Sequence, residues 1–214
     1  MTVKAVLFDF DGTLIDSVDS VWREYQRTAS ALKLPEKKFE DFARQLGKPW
    51  EIALQNIWPG VDTERFTEVY RLEKEQAKAV EGVTETLGRL RGRYRLGILT
   101  SRGSRTLYMH LDSTGIGRDF DVILDRDSLR NHKPDPKALY QACEELHIKP
   151  DEAVYVGDSI VDAECALKAG IRFVGVLTGG ASRREFEKNG VRGGDVLENL
   201  KTLPEKLEGM RDGI

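Results

Sequence analysis

The amino-acid sequence predicts an α/β fold: a parallel sheet core with helices on both faces, and an all-helical cap inserted after the first strand. Three observations predict it. The run Val3-Lys4-Ala5-Val6-Leu7-Phe8 reads as a central strand covered on both sides. Residues 16–81 then contain no convincing strand and read as helices. From Val83 to Leu177 helix and strand patterns alternate, as parallel strands joined by helical crossovers require.

Each element has a local reason. After the first strand, Asp16 or Ser17 suits a helix cap, and the helix runs to about Lys33. Pro35 restarts a helix through Leu46, Pro49 opens another through Ile57, and Asp62 or Thr63 caps a fourth ending near Ala79. Helices over Val83–Leu90, Ser104–Thr114, Pro136–Leu146 and Ile160–Ala169 then alternate with strands over Tyr94–Thr100, Asp121–Leu124, Ala153–Gly157 and Arg172–Leu177. The expected division is a core domain of residues 1–15 and 82–214 and a cap domain of residues 16–81, with Gly82 as a hinge. The core is Rossmann-like, but no G-x-G-x-x-G fingerprint of a dinucleotide site is present.

Composition narrows the partners. A chain of 214 residues has room for one ordinary domain plus an insertion. The net charge of −3, with no Lys/Arg cluster interleaved with aromatics, argues against nucleic acid. No run approaches the roughly 20 apolar residues of a membrane span, and Asp9 and Asp11 interrupt what would otherwise resemble a secretory signal. A cytoplasmic protein is expected. Cys143 and Cys165 lack metal-ligand spacing and read as reduced packing residues. No exposed apolar stripe stands out, so a monomer is expected.

The polar residues cluster where strands end. Asp9-Phe10-Asp11-Gly12-Thr13 follows the first strand, and positions two apart in a strand face the same way. Two carboxylates in one pocket repel unless a cation binds or one pKa rises, and a divalent metal answers both; an ordinary Asp-Gly turn is the competing reading. Thr100-Ser101-Arg102-Gly103 offers hydroxyls, loop amides and a cation suited to phosphate oxygens, or simply a helix cap. Lys133 stands before the stiff turn Pro134-Asp135-Pro136, where Asp135 can cap the next helix. Gly157-Asp158-Ser159-Ile160-Val161-Asp162 adds two acids at a helix start, where they also suit the helix dipole. Above these strand ends, the turn Gly47-Lys48-Pro49-Trp50-Glu51 between cap helices is the candidate loop over the site, with Lys48, and less strongly Arg23 and Arg102, reading substrate anions.

DFDGT, LTSR, HKPDP and VGDSIVD, in this order and spacing, resemble the four motifs of the haloacid dehalogenase-like hydrolase superfamily, in its capped, phosphoglycolate phosphatase-like branch. The resemblance covers essentially the whole chain, and Gly170 fits the helix after the fourth motif. It implies a magnesium-dependent phosphatase that hydrolyses a small-molecule phosphomonoester through an aspartyl phosphate. By resemblance Asp9 is nucleophile and metal ligand, Asp158 a second carboxylate ligand, and Asp11 a ligand through its backbone carbonyl while its side chain serves as general acid and base. Lys133 and Thr100 would hold the phosphoryl oxygens, helped by Ser101 and Arg102, and Asp162 would orient metal waters or Lys133. Magnesium suits an oxygen-rich ligand set. Mutases of this branch carry a cap histidine where this chain has Val21, which disfavours a phosphosugar mutase. A pyrophosphatase or a non-catalytic binding module would also carry such a chain, and the expected partner is a small phosphorylated metabolite.

Overall fold

The computed structural model describes residues 2–70 and 78–212. In chain order the strands are β1 (Ala5–Phe8), β2 (Ile15–Asp16), β3 (Lys78–Ala79), β4 (Arg95–Leu99), β5 (Val122–Leu124), β6 (Ala153–Gly157), β7 (Arg172–Val176) and β8 (Val196–Leu197). The helices are α1 (Val18–Ala31), α2 (Phe39–Ala43), α3 (Trp50–Ile57), α4 (Thr63–Val69), α5 (Val83–Leu90), α6 (Ser104–Thr114), α7 (Lys137–Glu145), α8 (Ile160–Ala169), α9 (Arg183–Lys188) and α10 (Leu203–Asp212).

Six strands form one sheet in the order β5-β4-β1-β6-β7-β8, every neighbouring pair parallel. Its strands are buried on both faces, and the apolar residues divide by strand alternation. Val6 and Phe8 join Leu87, Leu107, Leu111, Leu203 and Leu207 of α5, α6 and α10 on one face. Ala5 and Leu7 join Leu139, Ala142, Ala166 and Phe186 of α7, α8 and α9 on the other. Both cysteines are free and buried in this second cluster.

Helices α1 to α4 gather around a separate aromatic cluster of Tyr25, Phe42, Trp58 and Phe66, with Trp22, Trp50 and Tyr70 packed against it. Phe66 is fully buried, its ring centroid 5.6 to 5.9 Å from those of Tyr25, Trp50 and Trp58. Truncating it removes the centre of the cluster, and Phe66→Ala is expected to cost about 3–5 kcal/mol. All three tryptophans, Trp22, Trp50 and Trp58, lie in this insertion. Tryptophan fluorescence should therefore report unfolding of F66A at lower denaturant than far-UV circular dichroism does. Coincident curves with an unchanged midpoint would refute this.

Four expectations change. The predicted helix from Asp62 or Thr63 to Ala79 ends at Val69, and its stretch 71–77 lies outside the described residues. Lys78–Ala79 instead pairs antiparallel with Ile15–Asp16, so a two-stranded ribbon stands at the entry and exit of the insertion, where no strand was expected. Two-residue strands show no periodicity; they form because the chain's two crossings lie side by side. The Pro35–Leu46 helix contracts to α2, because Pro35 is held outside it, its carbonyl accepting the Trp58 indole N–H, and the Asp41 carboxylate stops the helix at Lys38 by accepting that residue's N–H. The edge strand β8 and helices α9 and α10 complete the core beyond Leu177, where the sequence pattern predicted nothing. Gly82, the expected hinge, sits before α5 with φ +86°. No helix among the described residues is long and apolar enough to cross a membrane.

Candidate active site

Parallel pairing brings the polar strand ends together. Phe8 of β1 is level with Ile98 of β4 and Val156 of β6, so Asp9, Thr100 and Asp158 emerge at one sheet edge. Lys133 arrives from the β5–α7 connection, where the Asp135 carboxylate accepts the Lys137 N–H at 2.9 Å and opens α7. Between this edge and the helical insertion lies a partly open cavity of about 850 Å³, lined by Asp9, Asp11, Thr100, Ser101, Arg102 and Lys133 below and by Gln45, Lys48, Trp50 and Tyr70 above.

At its floor lies a buried charge network. Lys133, with a fully buried side chain, places Nζ 2.9 Å from Asp9 Oδ1 and 2.7 Å from Asp162 Oδ1. Asp162 also accepts the Tyr155 hydroxyl at 2.8 Å, and its other oxygen accepts the Ser159 N–H at 3.1 Å and hydroxyl at 2.5 Å. The Asp162 lone pairs are thus largely spent on protein donors, and its carboxylate holds Lys133 in place. The carboxylates of Asp9, Asp158 and Asp162 all approach within 4.8 Å of one another.

One ammonium does not balance three buried carboxylates. Burial, then the neighbouring Asp162, pushes the Asp9 carboxyl well up despite Lys133. The same two causes raise Asp158 to about 7. Lys133 is disfavoured by burial but pushed further up by Asp162 and Asp9. A hard divalent cation is what such an all-oxygen, charge-deficient set accommodates. The packing around Asp158 points the same way. Thr13 donates to Oδ1 at 3.1 Å and the Gly180 N–H to Oδ2 at 2.9 Å. A Cβ on Gly12, whose φ is +74°, would lie 2.5 Å from Asp158 Oδ2, and one on Gly179 only 1.9 Å away. Glycine at both positions leaves this carboxylate a cradle.

Asp11 belongs to a different set. Its carboxylate is turned from the acidic cluster to Arg102, whose Nε lies 2.8 Å from Oδ2 while Nη2 and the Ser17 hydroxyl both donate to Oδ1. Burial raises the Asp11 pKa, but Arg102 and Ser17 outweigh it and the net shift is downward.

Thr100 is buried at the cavity and accepts the Arg102 N–H through Oγ1 at 3.1 Å. The Ser101 hydroxyl donates to the Gly47 carbonyl at 2.8 Å, which ties the loop after β4 to the turn before α3 in the helical insertion. Lys48 reaches the cavity from that turn, with Nζ 2.9 Å from Gln45 Oε1. Arg102, expected beside phosphate oxygens, is occupied by Asp11 instead, and Arg23 is absent from the cavity lining. Sequence reasoning missed Thr13, Ser17, Tyr155 and the Thr178-Gly179-Gly180 loop. For Thr13, Ser17 and Thr178 a polar residue soon after a strand was the signal; Tyr155, inside β6, and the two glycines gave none.

The family profile described as "Haloacid dehalogenase-like hydrolase" matches residues 6–176. The chain is 33% identical over 183 residues to Pyrophosphatase PpaX of Bacillus velezensis, covering 81% of this chain and 83% of that protein. It is 31% identical over 184 residues to a phosphoglycolate phosphatase of Nitrosospira multiformis, covering 79% and 81%. The crystal structure of a hydrolase from Pseudomonas syringae has a TM-score of 0.85 at 27% identity, covering 97% of this chain and 99% of that one. A parallel sheet with acids at the ends of its first and fourth major strands, a lysine between them and a profile match over most of the length lead to one conclusion: the chain belongs to the haloacid dehalogenase-like hydrolase family.

Proposed function

We propose that the protein is a magnesium-dependent phosphatase acting on small soluble phosphates through an aspartyl phosphate on Asp9. The observation that supports this most is the separation of the two aspartates: Asp9 sits in the acidic cluster against Lys133, while Asp11 stands off it with Arg102 and Ser17. One is placed to attack and the other to move protons. The Asp9 carboxylate attacks phosphorus as the bond to the leaving oxygen breaks, and Asp11 delivers a proton to that oxygen. Asp11 then takes a proton from the water that attacks the aspartyl phosphate, releasing inorganic phosphate and restoring Asp9. Lys133 and Thr100 bind and orient the phosphoryl oxygens. Asp9, Asp158 and the Asp11 main-chain carbonyl would hold magnesium, which supplies the charge compensation an incoming dianion needs. The helical insertion acts as a cap that selects substrate, and the protein works as a cytoplasmic monomer.

Purified protein should release phosphate from an aryl phosphate only with magnesium present; no release would sink the proposal. Gly179→Ala pushes a Cβ into the Asp158 carboxylate and should raise the magnesium concentration for half-maximal activity about 10–100-fold. An unchanged titration would show that Asp158 is not a ligand.

Lys48 and Arg105 line the cavity, and neither pairs with a carboxylate among the described residues. They favour substrates with a second anionic group, either a phosphomonoester bearing a carboxylate or pyrophosphate itself, the latter in keeping with the name of the B. velezensis relative. Lys48→Ala should raise KM about tenfold for such substrates, leaving that for a nitrophenyl phosphate unchanged. An equal rise for both would place Lys48 elsewhere in the reaction. A sugar 1-phosphate should be hydrolysed and not isomerised.

A further inference from the structure

We propose that Arg102 is a positioning residue, which orients the Asp11 carboxylate and leaves substrate anions to other cations. The inference rests on the phosphatase reading above and adds to it the oxygen that exchanges the proton.

A carboxylate offers about four acceptor positions. On Asp11, Oδ1 takes two donors, Arg102 Nη2 and the Ser17 hydroxyl, and Oδ2 takes one, Arg102 Nε at 2.8 Å. Among the described residues one position is left, and it is on Oδ2. The two-pronged guanidinium contact fixes the plane of the carboxylate as well as its place, so Oδ2 is the atom that gives the proton to the leaving oxygen and takes one from water.

Arg102 is itself held. Its side chain is only 6% exposed, and its guanidinium carbon lies 5.8 Å from the centre of the Phe10 ring. Its N–H donates to Thr100 Oγ1 at 3.1 Å, and its carbonyl accepts the Arg126 N–H at 3.0 Å. Phe10 lies between the two aspartates and Thr100 lines the cavity, so the brace is built from the same strand ends as the site. With its charge spent on Asp11, Arg102 is a poor anchor for a substrate anion compared with Lys48 or Arg105 on the same cavity.

The test compares wild type, Arg102→Ala and Arg102→Lys on two substrates: nitrophenyl phosphate, whose leaving group needs no proton, and a simple alkyl phosphate, whose leaving group does. With R102A, kcat for the alkyl phosphate should fall about 10²-fold, the scale of misplaced acid–base catalysis, while KM stays within about threefold. With nitrophenyl phosphate, attack by Asp9 survives but hydrolysis of the phosphoenzyme slows. A stoichiometric burst of nitrophenol then precedes slow turnover. R102K should restore only part of the rate, because one ammonium cannot span both oxygens. A tenfold or larger rise in KM with kcat retained would make Arg102 a substrate anchor and overturn the proposal. So would equal losses on both substrates without a burst. If R102A fails to melt cooperatively, R102K carries the same comparison of burst and KM. Wild-type protein that hydrolyses neither substrate overturns the phosphatase reading, and this inference with it.

Discussion

Asp9→Asn is expected to lower kcat by about 10⁴-fold or more while leaving the fold intact. The scale is that of removing a nucleophile on which a covalent route depends. Asparagine fills the same space but cannot form the acyl phosphate, and it removes one of three mutually repelling buried carboxylates. Burial and Asp162 already disfavour the charge on Asp9, so its loss should not destabilise the core, although among the described residues Lys133 keeps only Asp162 as an ionic partner. The check is acid-quenched mass spectrometry during turnover: wild type should carry a phosphoryl adduct on the peptide holding Asp9, and D9N none. Substantial D9N activity, or an adduct elsewhere, would remove Asp9 from its role. With nitrophenyl phosphate, whose leaving group needs no proton, Asp11→Asn should behave in the opposite sense and accumulate the adduct, as the proposed base for the attacking water would be gone.

Lys133→Met should abolish activity and also weaken the fold. The Lys133 ammonium lies between Asp9 and Asp162, and all three side chains are essentially buried. Methionine fills much of the volume, but two carboxylates lose their counter-charge, and breaking a buried pair in this way costs about 3–5 kcal/mol. For a chain of this size that is a fall in Tm of roughly 6–20 °C, at about 2–4 °C per kcal/mol. Two comparisons give the cause. Adding Asp162→Asn to K133M removes one of the stranded charges and should recover part of the lost Tm, so the double variant lies above the sum of the single ones. Magnesium should raise the Tm of K133M more than that of wild type, since a cation among the carboxylates has more repulsion to relieve. A Tm within about 2 °C of wild type, or strict additivity, would show that the network carries little stability.

Much of the core was legible because its signals are local. Helix α5, helix α6, strand β6 and helix α8 occupy the residues their periodicity and caps predict. A buried parallel strand is apolar on both faces over its central residues, so acids and hydroxyls gather just past its carboxyl end, which marks the ligand-binding edge. That is why Asp9, Thr100 and Asp158, scattered along the chain, could be placed on one edge. The insertion was less legible. Helix α2 is five residues long, and its limits depend on Trp58 holding the Pro35 carbonyl from elsewhere in the cluster. Strands β2 and β3 exist only because the two crossings meet.

The motifs already state which groups are present: an acid pair after the first strand, a hydroxyl, a lysine and a second acid pair. They do not state which group each one touches. Arg102 reads as a phosphate ligand in sequence, yet the structure pairs it with Asp11, 91 positions away. Asp162 reads as a helix-terminal acid and, by resemblance, as a residue that orients metal waters or Lys133; the structure gives it Lys133 and adds Tyr155, which no motif announces. Gly179 gives no local signal, yet it makes room for Asp158. Periodicity and capping act over a few residues, so composition along the chain encodes them directly. Pairing between charges far apart in sequence depends on relative distances inside a low-dielectric pocket, and those distances are set when the strands align and the insertion closes over their ends.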